Sequence, residues 1–183
     1  MLEGEEKLIR EAKEGKKEAF AKLYDHYVAP IYRFIYLKVS GREEVEDLTH
    51  EVFLNAWQNL HGYRFRGFPF SSWLYQITRN RIIDYYRTRR NHVRLENIDP
   101  ESVKISNPIE LVLDQEFNLE RVLVAIKQLN SDQQDVLIMR FVEDLSHQEI
   151  AQILGKSDGA VRLIQHRAIN ELKKILDTNE TRY

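Results

Sequence analysis

An all-α chain of two small helical domains joined by a flexible linker is what this sequence predicts, and three observations carry it. Apolar residues recur at three- and four-residue spacing over long stretches, the pattern of helices with one buried face. Glycine (7) and proline (4) are scarce among 183 residues, so little of the chain has the broken rhythm of strands and turns. The periodicity fails over 95–113, where Pro100 and Pro108 stand among four acids, and it resumes near Asp114. The expected division is a domain over 1–94, a linker over 95–113 and a domain over 114–183.

Four helices are expected in the first domain. Leu2 to Glu14 is short and stops at Gly15. Lys17 to Val39 carries Phe20, Leu23, Tyr24, Tyr27, Ile31, Phe34 and Ile35 at helical spacing, and Pro30 predicts a kink or break. Arg42 to Leu60 repeats Val45, Leu48, Val52, Ala56 and Leu60 on one face. A loop from His61 to Pro69 leads into a helix from Phe70 to about Asn91. There Trp73, Leu74 and Ile77 form the expected buried stripe, with Tyr75, Arg79 and Tyr86 pointing away from it. The second domain reads as four more helices. Phe117 to Gln128 is the first. Ser131-Asp132-Gln133-Gln134 is a capping box opening the second, to Val142, and Ser146-His147-Gln148-Glu149 opens the third, to Leu154. Gly155 makes a turn, and Ser157 caps the last, to about Leu176.

Composition narrows the function classes. With 43% apolar and 31% charged residues the chain reads as an ordinary globular protein, and the absence of cysteine excludes disulfides, thiolate zinc and thiol catalysis. No apolar run reaches the length of a membrane span, and the acidic start (Glu3, Glu5, Glu6) is unlike a signal peptide. No membrane insertion and a cytoplasmic location are therefore expected. The formal charge of −2 conceals a segregated distribution: residues 61–94 hold 8 basic side chains and 1 acid, whereas residues 95–145 hold 4 and 11. Such a band is compatible with nucleic acid despite the near-neutral total.

Three constellations stand out. Between Gly62 and Arg94, eight of the nineteen aromatic residues lie among eight arginines, with Asp84 as the one acid. Arginine supplies phosphate contacts and aromatics supply stacking platforms, a combination suited to DNA whose bases have left the duplex. Core filling is the competing explanation for any single ring. Ser146–Ala168 has helix-turn-helix grammar, with Ile150, Ala151, Val161 and Ala168 packing two helices. The second helix offers Lys156, Ser157, Arg162, Gln165, His166 and Arg167 to a groove. A plain helical hairpin is the alternative. Glu43, Glu46, Asp47, His50 and Glu51 lie opposite the buried face of the third helix, with Leu54 among them. A lone apolar residue in a charged ring suggests a protein-docking face. A solvated surface or a carboxylate–histidine metal cluster would use the same residues.

Nearly the whole chain resembles the extracytoplasmic-function (ECF) sigma factors, members of the sigma-70 family of bacterial RNA polymerase sigma factors. Glu18-Ala19-Phe20-Ala21-Lys22-Leu23-Tyr24-Asp25-His26-Tyr27 is similar to that family's opening, and Asp47 to Trp57 to its region 2.2. Phe70 to Asp84 resembles regions 2.3–2.4, and Leu129 to Gly155 resembles region 4. The resemblance implies a region 2 four-helix domain and a region 4 helix-turn-helix domain. It further implies that Asp47, His50, Glu51 and Leu54 dock on the β′ clamp helices of core RNA polymerase. Tyr63, Phe65, Phe70, Trp73, Tyr75, Arg79 and Asn80 would melt the −10 element and hold a flipped base. The helix-turn-helix would read −35 promoter DNA while resting on the β flap. The linker acids Glu96, Asp99, Glu101 and Glu110 would mimic nucleic acid, and an anti-sigma factor is an expected partner. The recognition helix departs from the common pattern: Leu163-Ile164-Gln165 stands where many members carry a serine–arginine pair and then leucine.

The expected function is thus promoter selection and −10 melting by a dissociable polymerase subunit, with no catalysis, no metal and no cofactor. Two other classes use parts of the same evidence. A stand-alone helix-turn-helix regulator leaves the aromatic–arginine segment unexplained. A metal-dependent helical phosphohydrolase would take Glu43, Glu46, Asp47 and His50 as ligands.

Overall fold

The computed structural model describes residues 2, 4–65, 67–95 and 115–180, with side chains placed at 2, 4–65, 67–89 and 121–177. Apart from Leu95, the expected linker lies outside the described residues. The described elements are helical, eight α-helices and one 3-10 turn, and the chain divides into two compact units, 1–94 with 152–155 and 95–151 with 156–183.

The first unit contains α1 (Glu5–Lys13), α2 (Lys17–Lys38), α3 (Arg42–Asn59), a 3-10 turn (Leu60–Gly62) and α4 (Phe70–Leu95). In α1 the acids Glu5 and Glu6 open the helix and Arg10 and Lys13 close it, an order that complements the helix dipole. Pro30 does not break α2, which runs unbroken past it. Proline removes one backbone donor, but it falls in a turn whose His26 and Ala29 are exposed, so the loss does not lie in the core. The core is filled by Leu23, Ile31, Phe34 and Ile35 of α2, Val45 and Val52 of α3, and Phe70 and Leu74 of α4, all at most 1% exposed. Close packing of this kind makes each of these side chains costly to truncate.

The buried surface of α4 is wider than the predicted stripe. Leu74 is fully buried, but Trp73 and Ile77 are only half-buried, while Phe70, Tyr75, Thr78 and Ile82 are buried. Tyr75, expected to face away, lies edge-on against Phe34 at 5.4 Å between ring centroids. The reason is that α4 is covered along more than one side, so a single 100° stripe underestimates what it buries.

The second unit contains α5 (Gln115–Lys127), α6 (Ser131–Phe141), α7 (His147–Leu154) and α8 (Asp158–Glu180). Leu129, Leu137 and Ala168 form a core cluster onto which Ile169, Leu172 and Ile175 of α8 pack. The capping box of α6 sits one residue earlier than the sequence suggested. Asn130, not Ser131, is the N-cap: its side chain accepts the Gln133 N–H at 3.0 Å, and Gln133 accepts the Asn130 N–H at 3.2 Å. Both residue types cap well, so sequence alone does not choose between adjacent candidates. Asn130→Ala is expected to cost about 1 kcal/mol, read as a shift in the denaturant midpoint with an unchanged slope.

Candidate nucleic-acid interface

The loop between the 3-10 turn and α4 carries rings in two environments. Tyr63 is buried, 5.2 Å from Phe70 and 5.1 Å from Trp73 between centroids. Burial, and then the negative charge of Glu5 and Glu6, push its phenol up to about 12. Phe65, by contrast, is 54% exposed, beside exposed Arg64. Phe68 and Trp73 are half-buried at the loop's edge.

Three of the seven residues assigned to the −10 element are therefore core residues. Tyr63, Phe70 and Tyr75 are 6%, 1% and 3% exposed, and a ring enclosed by protein on both faces offers no platform to a base. Phe65 and Asn80 are exposed, and Trp73 and Arg79 half-exposed. Tyr86, expected to point away from the buried stripe, donates its hydroxyl to the Lys38 carbonyl at 2.5 Å and ties α4 to the end of α2. Burial raises the Tyr86 phenol, as does Tyr85, against the opposing charge of Arg89. It is a strut as well as a surface.

The acidic face of α3 is arranged as the spacing predicts. Asp47, His50, Glu51 and Leu54 are all exposed, and the side opposite them buries Val45, Leu48, Thr49, Val52, Phe53 and Ala56. Leu54 stands 47% exposed on the same face, one turn beyond His50 and Glu51. Glu46 pairs with Arg42 at 2.7 Å one turn back. Among the described residues no three of histidine, aspartate and glutamate come close enough together to hold a metal ion.

In the second unit, Ser146 and Glu149 form a reciprocal cap. Ser146 Oγ accepts the Glu149 N–H at 3.2 Å, and the Ser146 N–H donates to Glu149 Oε2 at 2.8 Å. Gly155 takes φ 63°, and the Lys156 N–H returns to the Ala151 carbonyl at 2.9 Å, a left-handed helix stop that a side chain would strain. Ser157 Oγ accepts the Ala160 N–H at 3.2 Å and opens α8. Ile150, Val161 and Ala168 are fully buried. Ser157, Arg162, His166 and Arg167 are exposed on α8 and its cap. Two of the expected DNA-contacting cations already have acids: Lys156 meets Asp132 at 3.0 Å, and Arg162 meets Asp158 at 2.5 Å.

Gln165 has a role the sequence reading missed. It is half-buried, and its Oε1 lies 2.5 Å from His147 Nε2 at the start of α7. A polar pair joins the two helices. Ile164 beside it is half-buried and Leu163 is 48% exposed. Nothing in the local sequence signals the pair, because its members lie 18 residues apart on different helices.

Comparison with known proteins matches the Sigma-70 region 2 family model to residues 23–92 and the Sigma-70, region 4 model to residues 125–174. The chain is 36% identical over 172 residues to the ECF RNA polymerase sigma factor BldN of Streptomyces coelicolor, covering 92% of this chain and 64% of that protein. It is 30% identical over 167 residues to the ECF RNA polymerase sigma factor SigX of Bacillus subtilis, covering 88% and 85%. Among solved structures, CnrH in complex with the cytosolic domain of CnrY aligns with a TM-score of 0.71 at 26% identity, over 93% of this chain and 96% of that one. No helix among the described residues is long and apolar enough to cross a membrane.

Proposed function

The chain belongs to the ECF sigma factors of the sigma-70 family, and on that premise we propose how its own residues divide the work of an RNA polymerase sigma factor. The α3 face of Asp47, His50, Glu51 and Leu54 docks on the clamp helices of core polymerase. Leu54 enters an apolar site and the acids meet basic partners around it. Phe65, Trp73, Arg79 and Asn80 capture unpaired non-template bases of the −10 element. Opening is driven by binding energy, each base stack contributing about 1–3 kcal/mol, so the chain catalyses no reaction and takes no cofactor. The second unit, seated on the β flap, reads the −35 element through α8. Location in the cytoplasm follows from that partner. As CnrH is held by the cytosolic domain of CnrY, a protein partner of the anti-sigma kind covers these faces when the factor is idle.

The observation that carries this reading is the coexistence in one unit of an exposed acid-and-leucine face on α3 and an exposed Phe65 in an arginine-bearing loop. Run-off transcription with purified bacterial core polymerase on candidate promoters tests it. Promoter-specific transcripts that need both components are expected. Tight, sequence-selective binding of closed duplex by the chain alone, with no response to polymerase, would favour the stand-alone regulator.

The Arg162→Ala, Arg167→Ala double variant is expected to weaken use of −35-dependent promoters about tenfold or more, given about 1–3 kcal/mol per base contact. Core polymerase binding, measured by pull-down, should be unchanged; losing it would contradict the separation of tasks between the two units.

A further inference from the structure

We propose that α1 is a positioning element for the base-capturing loop, held to both of the loop's ends by Lys13 and Glu5; this deepens, and rests on, the sigma-factor reading above. The loop leaves the 3-10 turn at Tyr63 and enters α4 at Phe70. At the first end, Lys13 Nζ donates to the Tyr63 carbonyl and sits 5.7 Å from the centroid of the Tyr63 ring. At the second end, the Glu5 carboxylate accepts the Phe70 N–H at 3.3 Å and also accepts the Tyr27 hydroxyl. Two charged side chains of a nine-residue helix thus grip the two residues that bracket the loop, 50 and 65 positions away in sequence.

Glu5 is only 4% exposed, and a carboxylate leaves water at a cost that packing alone does not explain. Its location accounts for it. The first turn of α4 has unsatisfied N–H groups and the positive end of the helix dipole, both of which favour an anion. Filling space would be served as well by an apolar side chain; holding the Phe70 amide is not. Lys13 likewise adds little to the core but fixes a main-chain carbonyl at the loop's root. Anchoring both ends restricts the conformations open to Arg64 and Phe65 before DNA arrives, so less ordering remains to be done at capture. Neither α1 residue needs to touch DNA for this effect.

The test uses holoenzyme reconstituted with the full-length chain. Lys13→Met keeps an unbranched stem over the Tyr63 ring but removes the donor, and Lys13→Arg restores one. Glu5→Gln leaves one carbonyl oxygen for two donors. Three quantities are measured: affinity for a single-stranded non-template −10 oligonucleotide, the rate of open-complex formation, and affinity of the sigma chain for core. Lys13→Met should lower oligonucleotide affinity and opening rate about fivefold, the worth of one hydrogen bond, with core affinity unchanged and Lys13→Arg restoring both. Glu5→Gln should act in the same direction. Wild-type capture by Lys13→Met overturns the proposal. So does a parallel fall in core affinity and melting temperature that Lys13→Arg fails to reverse, since that assigns the contact to folding alone. If wild-type holoenzyme itself captures no −10 oligonucleotide, the sigma-factor assignment of the loop is what fails.

Discussion

Leu54→Glu is expected to lower affinity for core polymerase about thirtyfold or more. The size follows from the behaviour of apolar anchors at the centre of interfaces, whose loss costs about 2 kcal/mol or more, each 1.4 kcal/mol being tenfold. Leu54 is 47% exposed on a face whose other members are Asp47, His50 and Glu51, so nothing in the unit's own core requires it. A carboxylate there would be desolvated on docking without a partner chosen for it. The unit itself should melt as wild type, because an exposed helix position accepts glutamate readily. A titration of labelled chain against core polymerase, with thermal melting alongside, checks both halves. Undiminished affinity would move the docking surface off this face of α3.

The second large effect is Phe65→Ala, expected to reduce open-complex formation about tenfold through loss of one stacked base. Its neighbours in the loop sharpen the comparison. Tyr63 is enclosed by Phe70 and Trp73, whereas Phe65 stands clear of the core at 54% exposure. Phe65→Ala should therefore leave stability and polymerase affinity intact while permanganate reactivity of −10 thymines falls. Tyr75→Ala should behave in the opposite way. Its ring is buried against Phe34, so truncation leaves a cavity costing about 3–5 kcal/mol, and lost activity would follow from lost folded protein. If the two variants show the same profile, the division of these rings into platform and core is wrong.

Both constellations that rely on helical spacing were open to reading from the chain. Asp47, His50, Glu51 and Leu54 recur at i, i+3, i+4 and i+7, and a helix has no means of separating such residues onto different faces. The reciprocal Ser146–Glu149 cap and the Gly155 turn were legible for the same reason, since their hydrogen bonds span at most five residues. The aromatic segment was not. Composition correctly marks it as unusual, but it cannot sort Tyr63, Phe70 and Tyr75 from Phe65, because the partners that enclose the first three come from α2 and α4. The part played by α1 was hidden likewise: Glu5 and Lys13 resemble ordinary surface charges until Phe70 and Tyr63 are brought beside them.

By itself the amino-acid sequence determined the helical class, the identity of the exposed acidic face, the grammar of the helix-turn-helix and the family resemblance. Each depends on periodicity or motif, and so on neighbours within a few residues. Only the tertiary structure decided which rings stay exposed, that His147 and Gln165 join across two helices, and that a buried carboxylate anchors the start of α4. Burial depends on which residues, distant along the chain, come to lie against a side chain, and local pattern does not specify those partners.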